Sequence, residues 1–216
     1  MGGCCDGGCT VEALQNKQRG TLRIVLGINA VMFVVIASAA FYGQSTSLLA
    51  DSLDNLGDAL TYGLSLWAVS RGVATKARVA LFKGVLIFLG ATVVAGHVVY
   101  KLFVPTMPLF EVMGIFSLLG LLANGTCLYL LWRHRHEDVN MSSVWECSRN
   151  DIISNISVFV AAGAVWITGS GWPDILVALV LVWFLYRSAY RVISSARTEL
   201  KASNTVRLDS LIKISK

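Results

Sequence analysis

Apolar residues run along most of this chain in windows of about 20, the length that crosses about 30 Å of hydrocarbon as a helix. They fall at residues 22–43, 46–70, 79–101, 108–132, 142–168 and 172–193. These runs are too long for barrel strands and do not alternate with a period of two, so the pattern predicts helices. Polar or turn-forming stretches separate them: YGQSTS, SRGVATKAR, VPTMP, RHRHEDVN and TGSGWPD. The predicted fold is an all-α integral membrane protein, a six-transmembrane-helix bundle. Residues 1–21 read as a cytoplasmic Cys-containing tail, 22–193 as the transmembrane domain and 194–216 as a short cytoplasmic tail.

Composition agrees with the pattern. Of 216 residues, 55% are hydrophobic and only 14% charged, which leaves too little polar surface for a water-soluble domain. A net charge of +5 fits basic residues that flank membrane spans and does not call for nucleic acid as a partner. Lys17, Arg19 and Arg23 lie at the start of the first span, Arg71, Lys76, Arg78 and Lys83 between the second and third, and Arg133 and Arg135 between the fourth and fifth. Arg187, Arg191, Arg197, Lys201, Arg207, Lys213 and Lys216 end or follow the sixth, whereas Lys101 stands alone on the other side. The positive-inside rule therefore places both termini in the cytoplasm. No cleavable leader is expected, because the first 21 residues lack a continuous apolar core.

Against this background the second span is unusual. The stretch SLLADSLDNLGDALTYG places Asp51, Asp54 and Asp58 among apolar residues, and each carboxylate near the bilayer centre costs about 2.5 to 3.5 kcal/mol. Asp54 and Asp58 are four apart, hence on one helical face about a turn from each other. The fifth span repeats the spacing with Cys147 and Asp151. Two such helices packed face to face offer two carboxylates, a thiol and a third carboxylate to one point. That donor set suits a tetrahedral divalent metal of the zinc or cadmium type. The same groups bind protons when no cation is present, so metal and protons compete for them. Asp51, Asn55 and Asn155 are read as supporting positions around these ligands, with an interfacial location the alternative for Asp51.

These residues resemble the cation diffusion facilitator family of divalent metal transporters. LLADSLDNLGD matches that family's second-helix pattern, with Asp54 and Asp58 at its ligand positions; the CSRND run supplies Cys147 and Asp151 at those of the fifth. GINAVMF, LLANG and GWPDILVALVLVWFLYRSAYRVI are similar to its first, fourth and sixth helices, and the resemblance covers residues 22 to 200. It implies a zinc or cadmium efflux transporter that is not an enzyme, carries no cofactor, exchanges its metal for H+ and works as a homodimer in a bacterial inner membrane. Cys147 stands where His or Asp is usual, which shifts the expected preference toward softer ions. The C-terminal cytoplasmic domain of most members is missing from this sequence.

Other clusters suggest accessory chemistry. Cys4, Cys5 and Cys9 could capture a soft cation in the reducing cytoplasm, or be a nonessential end. His134 and His136 are candidates for the same task at the cytoplasmic entrance. Cys127 reads as packing, His97 as a hydrogen-bonded residue, and Lys83 as a cation able to close the entrance against an acidic partner. Two further functions remain open at this point. An intramembrane aspartyl protease also needs Asp on two helices, although the GxGD pattern is absent here. A thiol-based, mercury-type uptake protein would centre on CCDGGC instead.

Overall fold

The computed structural model describes residues 6–68, 73–132 and 139–214, with side chains described for 20–64, 66–67, 75, 77–132 and 151–202. Six helices occupy these residues: α1 (Asp6–Tyr42), α2 (Thr46–Ala68), α3 (Val73–Phe103), α4 (Phe110–Trp132), α5 (Val139–Thr168) and α6 (Trp172–Ile214). The helices outrun their apolar windows. α1 begins upstream of residue 22 and α6 continues past 193, because backbone hydrogen bonding extends into polar residues that the hydrophobic pattern does not mark. Gly20–Tyr42, Ala77–Phe103, Phe110–Trp132, Asp151–Thr168 and Trp172–Ala202 are each long and apolar enough to cross a membrane. α2 falls short of that measure, since its 23 residues carry Asp51, Asp54 and Asp58.

The distribution of polarity is that of a membrane bundle. Phe103, Tyr129 and Ile167 are 82%, 78% and 79% exposed, whereas Asn155 and Asp174 are fully buried and Asp51 is 1% exposed. Lipid solvates the apolar exterior, and the costly polar groups turn inward. α2 contacts all five other helices, while α1 packs along α2, α4 along α5 and α3 along α6. The main apolar core runs through these contacts, from Met32, Ile36 and Leu48 to Val158, Val165, Leu181 and Leu185. Gly84 lets α3 and α6 approach closely, as a Cβ there would lie 2.7 Å from Ile193 Cγ1.

The N-terminal end of α2 is fixed from across the bundle. Ser45 caps the helix by accepting the Leu48 N–H at 3.2 Å. The Asp174 carboxylate, from the first turn of α6, accepts the Thr46 and Ser47 N–H groups at 2.9 and 3.0 Å and the Ser45 and Ser47 hydroxyls at 2.7 and 2.6 Å. Negative charge at a helix N-terminus is favoured by the free N–H groups and the helix dipole. Lys101, at the end of α3, reaches the same carboxylate at 3.4 Å and also donates to the Gln44 carbonyl. His97 Nδ1 lies 3.2 Å from Thr46 Oγ1, so the expectation of a hydrogen-bonded histidine holds. Lys101, the lone basic residue on this side, is thus a buried structural cation rather than a loop charge.

Candidate metal centre

The candidate centre begins with the inward face of α2. Asp51, Asn55, Asp58 and Tyr62 recur at the spacing of one helical face and are all buried. Asp54 is offset from that stripe, partly buried, and turned toward α5, where the Ser154 hydroxyl donates to its Oδ2 at 3.3 Å. The Tyr62 hydroxyl donates to Asp58 Oδ2 at 2.5 Å. Asp151 is within hydrogen-bonding reach of the same carboxyl group, and the Lys83 ammonium is near enough to act on it electrostatically. Two carboxyl groups meet this way when a proton or a cation lies between them.

The structure thus sets Asp58 beside Asp151 and Asp54 beside Ser154 at the α2–α5 interface. Among the described residues, however, no three His, Cys, Asp or Glu side chains converge closely enough to hold a metal ion. Asp58 is engaged by Tyr62 and Asp151, and Asp54 by Ser154, so a cation would have to draw these oxygens inward from their present bonds. Cys147 lies on α5 one turn before Asp151, but its side chain lies outside the described residues, as does that of Cys9 on α1. Cys4, Cys5, His134 and His136 also lie outside the described residues.

Asp51, Asn55 and Asn155 are all buried, the first two on the inward face of α2 and the third on that of α5. Asn55 and Asn155 bond their own helices, donating to the Asp51 and Asp151 carbonyls at 3.1 and 2.8 Å. Cys127 is buried with Val25, Tyr62 and Leu131, in keeping with a packing role, and accepts a long contact from Asn29 Nδ2 at 3.8 Å. Lys83 donates to the Thr61 hydroxyl of α2, and its acidic neighbour is Asp58.

Sequence reasoning missed Tyr62, although it follows Asp58 by four residues and so shares its face. It also missed Ser154, which only the helix register places beside Asp54. The apolar Tyr62 cluster lies on the C-terminal side of Asp58 along α2, whereas the Asp174 network closes the N-terminal end of that helix. The carboxylates sit between these two layers.

Known proteins are similar to this chain in sequence. The Cation efflux system protein CzcD of Alcaligenes sp. (strain CT14) is 23% identical over 196 residues, covering 80% of this chain and 61% of that protein. The Zinc transporter ZitB of Yersinia pestis is 23% identical over 199 residues, covering 86% and 64%, and ZitB of Yersinia pseudotuberculosis serotype I (strain IP32953) gives the same figures. The chain thus spans about three fifths of the length of these relatives. The sequence model of the Cation efflux transmembrane domain matches residues 22–200. Nearly the whole multi-pass bundle lies within that match, and the chain belongs to the cation efflux family.

Proposed function

We propose that this protein exports a divalent cation of the zinc or cadmium type from the cytoplasm in exchange for protons, with Asp54, Asp58, Cys147 and Asp151 as ligands. The observation that carries this reading is the meeting of Asp58 and Asp151 in the interior, between two helices that each carry an i, i+4 ligand pair. The names of the relatives, a cation efflux system protein and zinc transporters, support the same substrate class.

The geometry suggests how the exchange proceeds. Without cargo, protons, the Tyr62 hydroxyl and the Lys83 ammonium compensate the buried carboxyl groups. An arriving cation displaces the protons, because a metal ligand must be deprotonated. The divalent cation cancels half of the charge on the four deprotonated ligands and the Lys83 ammonium offsets part of the rest, which lowers the cost of carrying the centre through a low-dielectric layer. A tilt of α2 and its neighbours exposes the centre to the other side, where protons release the cation. Working as a homodimer in a bacterial cell membrane belongs to the same proposal.

The test is zinc and cadmium flux in proteoliposomes with a pH gradient. Wild-type protein is expected to drive metal into the acidic compartment, and Asp58→Asn and Asp151→Asn to stop it. Undiminished flux in both variants would remove these carboxylates from the pathway and sink the proposal.

A further inference from the structure

Three asparagines on three helices treat their amides in the same way. Asn29 on α1 donates Nδ2 to the Val25 carbonyl at 3.0 Å, Asn55 on α2 to that of Asp51 at 3.1 Å, and Asn155 on α5 to that of Asp151 at 2.8 Å. Each helix consumes the donor end of its own side chain. Each Oδ1 is left buried, without a hydrogen-bond partner among the described residues. Both oxygens of Asp51, 1% exposed, share that condition. Against these acceptors, Asn124 Nδ2 on α4 is the unmatched amide donor among the described residues of the bundle. A buried acceptor left unmet costs about 1 to 3 kcal/mol, and facing acceptors cannot satisfy one another without a donor hydrogen or a cation between them.

The register of the helices places these groups. α2 and α5 run antiparallel, with Asp58 meeting Asp151 and Asp54 bonded to Ser154. Continuing that register sets Asn55 level with Asn155, and Asp51 a further turn toward the extracytoplasmic end. Side chains on a helix lean toward its N-terminus, so Asn55 leans toward Asp51, whereas Asn155, on the antiparallel helix, leans toward Asp151. Asn155 Oδ1 occupies a notch in α4, standing 2.0 Å from where a Cβ on Gly120 would be.

We propose that Asp51, with the carboxamide oxygen of Asn55 one turn along the same face of α2, forms a second binding position for the transported divalent cation, on the extracytoplasmic side of the Asp54, Asp58 and Asp151 centre. This deepens the proposed function and rests on it. The donor set is entirely oxygen, a poorer match for a soft ion than a centre that includes the Cys147 thiolate. A cation that reaches this position once protons have taken the inner ligands is held more weakly than it was at the centre, and so dissociates outward more readily than it would from the tighter ligands directly.

Equilibrium dialysis of the purified full chain against zinc tests this. Asp51→Asn is expected to take up one equivalent fewer than wild type, with the tighter binding unchanged in affinity. Asn55→Leu, which keeps the Asp51 charge, is expected to weaken that same equivalent about tenfold. In proteoliposomes Asp51→Asn should lower maximal flux while leaving the half-saturating zinc concentration on the cytoplasmic side near the wild-type value. Equal zinc stoichiometry in Asp51→Asn and wild type overturns the second position; the carrier reading survives if Asp58→Asn still loses flux. Loss of all zinc binding in Asp51→Asn with no effect of Asn55→Leu also overturns it, as the mark of a folding defect. Wild-type protein that neither binds nor moves zinc defeats both proposals.

Discussion

At the scale of single residues, the centre is a contest of charges around Asp58. The Tyr62 hydroxyl holds its carboxyl group by a hydrogen bond, Asp151 lies within hydrogen-bonding reach, and Lys83 adds a positive charge nearby. Lys83 thus supplies part of what a cation would supply, and it also repels one. Replacing it with Gln is expected to tighten zinc binding about tenfold, a gain of about 1.4 kcal/mol. Zinc titration of Lys83→Gln and wild type in the same detergent checks this, and equal affinities would mean that Lys83 serves only Thr61. Asp58→Asn acts in the other direction. It removes a charged ligand and leaves Lys83 near a neutral amide, so affinity should fall by about 3 kcal/mol, or roughly 100-fold. The spacing of Asp54 to Asp58 and of Cys147 to Asp151 was legible in the sequence, because a helix converts four residues into one face. The engagement of Asp54 by Ser154 was not, because it depends on how two helices distant in sequence slide against each other.

At the scale of helices, small residues and buried ion pairs set how closely the elements approach. Gly120 on α4 leaves the space that Asn155 Oδ1 fills, while a Cβ on Gly125, five residues later, would meet nothing within 4 Å. Gly120→Ala should therefore push α4 from α5 or tear Asn155 from its bond to the Asp151 carbonyl, an overpacking cost of about 1 to 3 kcal/mol. Thermal unfolding in detergent should show a lowered Tm for Gly120→Ala and an unchanged or higher one for Gly125→Ala; equal shifts would reduce the effect to helix propensity. The six helices themselves were readable from apolar windows, including α2, whose carboxylates interrupt its hydrophobicity without breaking its helix. Their polar extensions were not, since amphipathic or charged turns carry no membrane signal. Nor was the link between Asp174 and Lys101, which stand 73 residues apart. Each is an ordinary residue in its own segment, and only packing of α3 against α6 makes them partners.

For the whole molecule, the arrangement of buried charge predicts where motion is hard and where it is easy. Asp174 binds α2 to α6 and, through Lys101, to α3, with every group deeply buried. Opening that end outright would strip a carboxylate and an ammonium of their partners in a low-dielectric layer. The C-terminal half of α2 is held by an apolar cluster around Tyr62 and by Lys83, contacts that can slide without exposing an unpaired ion pair. A bundle so built should pivot near Asp174 and swing its cytoplasmic half further. Asp174→Asn leaves Lys101 buried without its counter-charge and is expected to cost about 3 to 5 kcal/mol. Pairing it with Lys101→Met removes the orphaned charge and should restore much of that loss. Unfolding by denaturant measures the stabilities of the single and double variants, while zinc affinity reports whether the centre survives. If the anchor matters only for stability, the double variant regains transport along with stability. If α2 pivots on the ion pair, it regains stability and zinc binding but not flux, because the helix then has no fixed end about which to turn.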